Sequence, residues 1–439
     1  MSGLRRRALD PNGKTVSRKA QSRASSAASS RVTSRAGSRV ASRANTDDEA
    51  SDDNFSVRSL GEELDPILAQ LEEQQSHTKL AVDIRPIIDS IVDRKGSSAE
   101  GREQRFIQYS RFLSGCFAQS HIERQRDQII DACLRSLKGG RTEKESLEAL
   151  RSLALTIITM PDDSIYDKVT PTFKRVIVDN DNLLIKKNVI HVLGSAAFYG
   201  GATAEEVENI MGFFMEIIES DGHSAGAGDD AGVVTAALEE WGFLCTQLDD
   251  VEDLTGECID GFVDQLDSSE VSVQVAAGEN IALLYEKSYT LAEEDELEHH
   301  AQVKFLKRYE PYPRKGDLID TIQGLTSGSK KYLNKRNKKT QRSAFADILH
   351  TVQDPLKGPG FKETLDHDGH IRGASRTVKV HVDGEASGLG VVNIDRWWKL
   401  LRLQHLRRIL TTGFLIHWRE NPVIFESLEL HFDEVLSGL

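Results

Sequence analysis

The chain has 439 residues, of which 39% are apolar and 28% charged, enough to bury a sizeable core across roughly two or three domains, or across one repeat array whose units touch only their neighbours. Its net charge of −14 hides a division: Met1 to Asn45 carries about +10, so the remainder carries about −24. Four cysteines without a C-x-x-C pair, Arg5 to Arg7 in place of a secretory core, and no apolar run of about 18 residues argue for an intracellular, reduced chain without a membrane span.

The first 58 residues are rich in Ser, Ala and Arg, and SRVTSRAGSRVASR sets Ser30, Ser34, Ser38 and Ser42 each before an arginine at a period of four. So little apolar area cannot offset ordering entropy, so a disordered tail is expected over 1–58. Arg31-x-x-Ser34, Arg35-x-x-Ser38 and Arg39-x-x-Ser42 suit a phosphorylatable or RNA-touching arm, and equally a solubilising tail. The acidic patch Asp47, Asp48, Glu49, Asp52 and Asp53 marks the boundary.

From about Leu60 the apolar spacing turns helical. The rows are Phe106, Tyr109, Leu113, Cys116; Leu147, Leu150, Ala154, Ile157; Ile185, Val189, Val192, Ala196; Val234, Leu238, Trp241, Cys245; and Val271, Val275, Gly278, Ala282, Tyr285. Their starts lie roughly 40 to 50 residues apart, the period of a helical repeat. Second apolar rows, such as Ile190, Leu193 and Ala197, mark these as inner helices covered on two sides. Partner segments fall at Ile129 to Leu137, Ile165 to Val178 and Val207 to Ile218, and polar starters at Ser97-Ser98, Gly139-Gly140, Asn180 to Asn182, Asp229-Asp230 and Ser268-Ser269. The expected fold over 59–355 is therefore an all-α, HEAT- or armadillo-like α-solenoid.

Within it, Gly226, Gly228 and Gly232 resemble a dinucleotide fingerprint only superficially, because a helix precedes them and the third glycine is misplaced. A flexible inter-repeat loop is expected there. Further on, KKYLNKRNKKTQR concentrates Lys330, Lys331, Lys335, Arg336, Lys338, Lys339 and Arg342 with Tyr332 among them. Clustered cations beside a ring that can stack suit phosphate neutralisation in a nucleic acid; a nuclear-import signal and a strip contacting the acidic body are the alternatives. The following SAFADILHTVQ is amphipathic through Phe345, Ile348, Leu349 and Val352, which would dock one face and leave the basic end projecting.

Residues 356–439 are expected to form a small α+β region. Thr377, Lys379 and His381 alternate with Val378, Val380 and Val382 as a strand, ahead of the turn Asp383-Gly384. The helix from Arg396 to Ile416 mixes Trp397, Trp398, Leu401 and Leu403 with Arg402, Arg407 and Arg408; these arginines are either a second RNA contact or the wet side of a core helix. No nucleophile elbow, phosphate loop or H-E-x-x-H occurs. Asp366-His367-Asp368-Gly369-His370 offers metal-ligand types, but Asp-Gly is also an ordinary turn and no second ligand cluster stands at a metal spacing, so no metal and no cofactor is expected.

Two stretches, VSVQVAAGENIALLYE at Val271 to Glu286 and KRNKKTQRSAFADILHTVQ at Lys335 to Gln353, resemble the interferon-related developmental regulator family. Weaker agreement runs through EGREQRFIQYSRFLSGCFA and Arg124 to Thr159, so the resemblance spans about Gly61 to Gln353. It implies a chain without enzymatic activity that binds translationally inactive ribosomes, or, as a rival reading, a nuclear co-regulator whose solenoid groove holds transcription or chromatin proteins. The first makes the basic block the ribosomal RNA contact of a cytoplasmic protein, the groove adding protein contacts; the second adds the nucleus. Animal members continue into a Lys/Arg-rich helix, whereas this sequence reads HFDEVLSGL there; if that helix is what enters the ribosomal RNA channel, the departure leaves full plugging an open expectation.

Overall fold

The computed structural model describes residues 83–292, 305–327, 335–365, 371–374, 376–381 and 389–428. The tail expected over 1–58, the Asp366 to His370 motif and the Asp383-Gly384 turn lie outside them.

Among the described residues, six consecutive helix pairs make an all-α solenoid. They are α1 (Arg85–Val92) with α2 (Ala99–Gly115), α3 (Arg126–Gly139) with α4 (Glu143–Thr159), α5 (Ile165–Asp179) with α6 (Leu183–Tyr199), α7 (Ala204–Glu219) with α8 (Ala231–Cys245), α9 (Glu252–Gln265) with α10 (Val271–Lys287), and α11 (Lys315–Ser327) with α12 (Lys335–Gln353). The even-numbered helices stack on one another in order, α2 to α12, and form the inner row. The five apolar rows of the sequence lie on the buried faces of α2, α4, α6, α8 and α10, with Cys116, Leu147, Val271 and Val275 half-buried, and the amphipathic stretch ending at Val352 supplies a sixth.

Local chemistry starts α2, α6 and α8 at the polar punctuation, and α4 at Thr142, two residues beyond Gly140. Ser98, Thr142, Asn182 and Asp230 each accept a backbone N–H from the first turn of α2, α4, α6 and α8, satisfying donors that the helix leaves open. Before α10 the expectation of a serine cap gives way to Glu270, whose side chain makes no cap; Ser268 Oγ instead accepts the Glu270 N–H at 3.3 Å. The glycine-rich loop joins α7 to α8, helix to helix, with Gly222 and Gly226 left-handed at φ +81° and +60°. Buried Lys186 fastens it by donating to the carbonyls of Val178 and Ala225, which is an anchored turn rather than a flexible one.

Small residues let the inner helices approach. Ser110 and Ser152 meet Oγ to Oγ at 2.9 Å between α2 and α4. Gly194 of α6 faces the Glu240 side chain of α8, Gly242 of α8 faces Asn280 of α10, and Gly278 of α10 faces Phe345 and Ile348 of α12. Each fully buried large apolar side chain along this spine stabilises the fold by about 1.5–3 kcal/mol relative to exposure.

Three two-stranded antiparallel hairpins accompany the helices among the described residues: β1 (Tyr289–Leu291) with β2 (Phe305–Lys307), β3 (Lys362–Leu365) with β4 (Ile371–Ala374), and β5 (Arg376–His381) with β6 (Leu389–Ile394). β5 falls on the strand read from alternation. The chain then returns to the inner row: α13 (Trp397–Leu410) packs on α10, α8 and α4, and the segment holding α14 (Phe414–Glu420) and α15 (Pro422–Ser427) reaches α2. The fit at the far end is close, since a Cβ on Gly413 would stand 1.8 Å from the Ser114 carbonyl oxygen.

Candidate nucleic-acid interface

The basic block enters the described residues at α12. Lys330, Lys331 and Tyr332 lie outside them, as do the side chains of Lys335 and Arg336, whose backbone forms the first turn of the helix. At 3.6 residues per turn, Lys335, Lys338, Lys339 and Arg342 share one face. Gln341, Ala344, Phe345, Ile348 and Val352, on an adjoining face, are buried. Gln341 donates to Gln274 of α10 at 2.6 Å, so the docked side of the helix is held by hydrogen bonding as well as by apolar packing.

Lys339 and Arg342 are exposed and Lys338 half-buried. The Arg342 Nε donates to the Thr326 carbonyl at 3.3 Å, near the C-terminal end of α11. No acidic residue stands in the first turn of α12. Cations there add to the partial positive charge of the helix N-terminus, an arrangement unfavourable by itself and relieved by an anion.

Arg402, Arg407 and Arg408 are not brought to this surface. Arg402 donates through Nε and Nη2 to Thr246 at 2.9 and 2.8 Å and through Nη1 to the Ser427 carbonyl at 2.7 Å, and its guanidinium carbon lies 5.0 Å from the ring centroids of both Phe198 and Trp398. Arg408 pairs with Glu239 and Glu240, each at 2.8 Å. Burial also pulls the Arg407 and Arg402 pKa values down. Arg402 and Arg408 thus direct these donors to partners inside the fold. Trp397 is core, 1% exposed.

Pattern reading missed the polar cluster under α13. Glu240 Oε1 accepts from His191 Nδ1 at 2.8 Å and Arg408 Nη1 at 2.8 Å, with His405 Nδ1 at 3.2 Å. Burial would push the Glu240 carboxyl up, but the adjoining His405 and His191 hold it well below the usual range. Burial and the Arg408 charge push His191 the other way, towards the neutral ring. The signal available in sequence was slight: Glu239-Glu240 and His191 interrupt otherwise apolar inner helices.

Ser195 Oγ lies 3.1 Å from His405 Nε2, so Ser195, His405 and Glu240 reproduce the order of a hydrolase triad. All three are buried, at 0, 1 and 0% exposure, and Phe243 stacks on the His405 ring at 3.7 Å. A reacting atom has no room to reach the serine. Among the described residues no group of His, Cys, Asp and Glu is arranged to hold a metal, and no helix is long and apolar enough to cross a membrane. A shallow pocket between the α7–α8 loop and the start of α10 is lined by Asp221, Asp229, Asp230 and Glu270, the opposite sign to the basic face of α12.

The model of the family described as interferon-related developmental regulator matches residues 44–353, from ahead of α1 to the last residue of α12. The chain belongs to that family. The match takes in the inner row and the basic block of this interferon-related developmental regulator family member and stops before the helices of the return segment. An uncharacterized protein of Schizosaccharomyces pombe is 23% identical over 78% of this chain and 73% of its own length. Interferon-related developmental regulator 2 of Mus musculus is 22% identical over 81% of this chain and 74% of its own, and interferon-related developmental regulator 1 of Sus scrofa 22% over 82% and 74%.

Proposed function

We propose that the chain is a non-catalytic scaffold that binds ribonucleoprotein, most concretely the ribosome, through the cationic opening turns of α12 and the basic residues ahead of them. The observation that carries this reading is the stripe Lys335, Lys338, Lys339 and Arg342 at a helix N-terminus, on a helix whose neighbouring face is docked on α10. Phosphates relieve both the mutual repulsion of these cations and their conflict with the helix dipole. Family membership supports the scaffold role, and the resemblance of Lys335 to Gln353 to the family's basic helix supports the ribosome as partner.

The mode of action is occlusion or bridging by a shaped body, and the protein works in the cytoplasm. Helix α13 packs on the inner helices α4, α8 and α10, and the basic face of α12 is the surface assigned to RNA.

Sucrose-gradient sedimentation of full-length protein with Lys335, Arg336, Lys338 and Lys339 all changed to Glu is the test. Wild type is expected to co-sediment with ribosomal particles and to be released steeply by salt, since each phosphate neutralised contributes roughly 0.7–0.9 to the log–log salt slope. The charge-reversed protein is expected in the light fractions. Unchanged co-sedimentation of that variant overturns the electrostatic reading, and purely nuclear staining of the wild type favours the co-regulator instead.

A further inference from the structure

Helices α13 to α15 touch inner helices far apart in the array, and the contacts are polar as well as apolar. At one end the N–H groups of Trp397 and Trp398 donate to Glu286 of α10 at 2.8 and 3.2 Å. In the middle His405 and Arg408 meet Glu240 of α8, and His405 also meets Ser195 of α6. At the other end Asn421 Nδ2 donates to the Ile158 carbonyl of α4 at 2.9 Å, and His417 Nε2 lies 2.6 Å from the Leu113 carbonyl of α2.

In an ordinary solenoid each unit senses only its neighbours, so the ends fray and the curvature breathes. Here one segment is bonded to α2, α4, α6, α8 and α10, across sequence separations from 111 to 304 residues. We propose that α13 to α15 form a strap that locks these five repeats at one curvature and makes them open only together, with the Glu240 carboxylate as its central lock. The proposal stands independently of the ribosome reading.

The charges make the lock two-state. With the strap seated, Glu240 has donors from α6 and from the strap, Glu239 has Arg408, Glu279 has Gln404 at 3.3 Å and Glu286 has a helix N-terminus. With the strap lifted, Glu239, Glu240, Glu279 and Glu286 on α8 and α10 lose the donors that the strap supplies, Glu240 keeping His191 of α6. A half-lifted strap leaves buried charge uncompensated, so partial opening is disfavoured relative to both closed and fully open states. The rings reinforce the fit, Arg402 lying between Trp398 and Phe198, and His405 stacking on Phe243.

Hydrogen exchange of the intact chain tests this by perturbing one end and reading the other. Asn421→Ala removes two hydrogen bonds, the one to the Ile158 carbonyl at the α4 end and the cap that the Asn421 side chain gives the Val423 N–H of α15, and leaves Glu240 and Glu286 untouched, so it is expected to fold. The amides of Trp397, Trp398 and Leu400 to Leu403, at the α10 end, are expected to exchange faster by the same factor as those of α14 and α15, on the order of tenfold or more for two hydrogen bonds. Glu240→Gln is expected to accelerate strap, α2 and α10 together, by a factor on the order of a hundred or more. Acceleration confined to α14, α15 and α4 in Asn421→Ala, with the α10 end unchanged within twofold, overturns the strap. So does a Glu240→Gln response limited to α6, α8 and α13.

Discussion

Two glycines in helix interiors are expected to answer the same substitution with opposite signs. Gly212 lies exposed in α7, and a Cβ there meets nothing within 4 Å. Gly212→Ala removes conformational freedom from the unfolded chain and should stabilise the protein by about 0.5–1 kcal/mol. Gly194 sits in α6, where a Cβ would stand 2.0 Å from Glu240 Oε2 and 3.2 Å from its Cγ. The carboxylate end of a free glutamate would simply swing away. This one is held by His191 and Arg408 at 2.8 Å each, so moving it breaks bonds to a buried charge. Overpacking costs about 1–3 kcal/mol and loss of a buried charge partner about 3–5 kcal/mol. Set against the same helix-propensity gain, Gly194→Ala should destabilise by about 3 kcal/mol. Urea unfolding followed by tryptophan fluorescence would read both. In a Glu240→Ala background the Gly194→Ala penalty should largely vanish, because the group it displaces is gone. Equal stabilisation by the two alanines, or a Gly194→Ala penalty that persists without Glu240, would refute the reasoning.

Glu286 gives a pH signature. Burial pushes its carboxyl up to about 7 from 4.5, against the opposing pull of the Trp397 N–H and the Arg396 charge. A raised folded-state pKa favours folding fully below the unfolded value, and that benefit is lost as pH rises through the folded one. The stability of Glu286→Gln relative to wild type should therefore climb between about pH 4.5 and 7 and level off above; a flat difference curve in thermal unfolding across that range would contradict the burial of the ionised group. Ser195, despite its histidine neighbour, should resist a fluorophosphonate probe under native conditions and react no faster than a surface serine. Stoichiometric labelling would show that the strap admits small molecules.

The relation between α13 and the rest explains why the arginines there read ambiguously. A helix carrying Trp, Leu, His and Arg on several faces has no clean apolar stripe, because one side meets apolar neighbours and another meets carboxylates. Periodicity identifies a face only when burial and apolarity coincide. On α6 they largely coincide, and the row Val189, Val192 and Ala196 is all core. On α13 the buried His405, 1% exposed, and half-buried Arg402 and Arg408 make burial and polarity coincide instead.

The repeat was legible in the residues alone: spacing of three and four and caps at Ser98, Asn182 and Asp230 are local properties, readable because a helix hydrogen-bonds to itself. So was the cationic face of α12, since residues three and four apart must share a side. Only the tertiary structure decided where the return helix lies, and with it the partners of Glu240. His191 and His405 meet that carboxylate from 49 and 165 residues away, and no period of a helix or strand encodes a contact of that range.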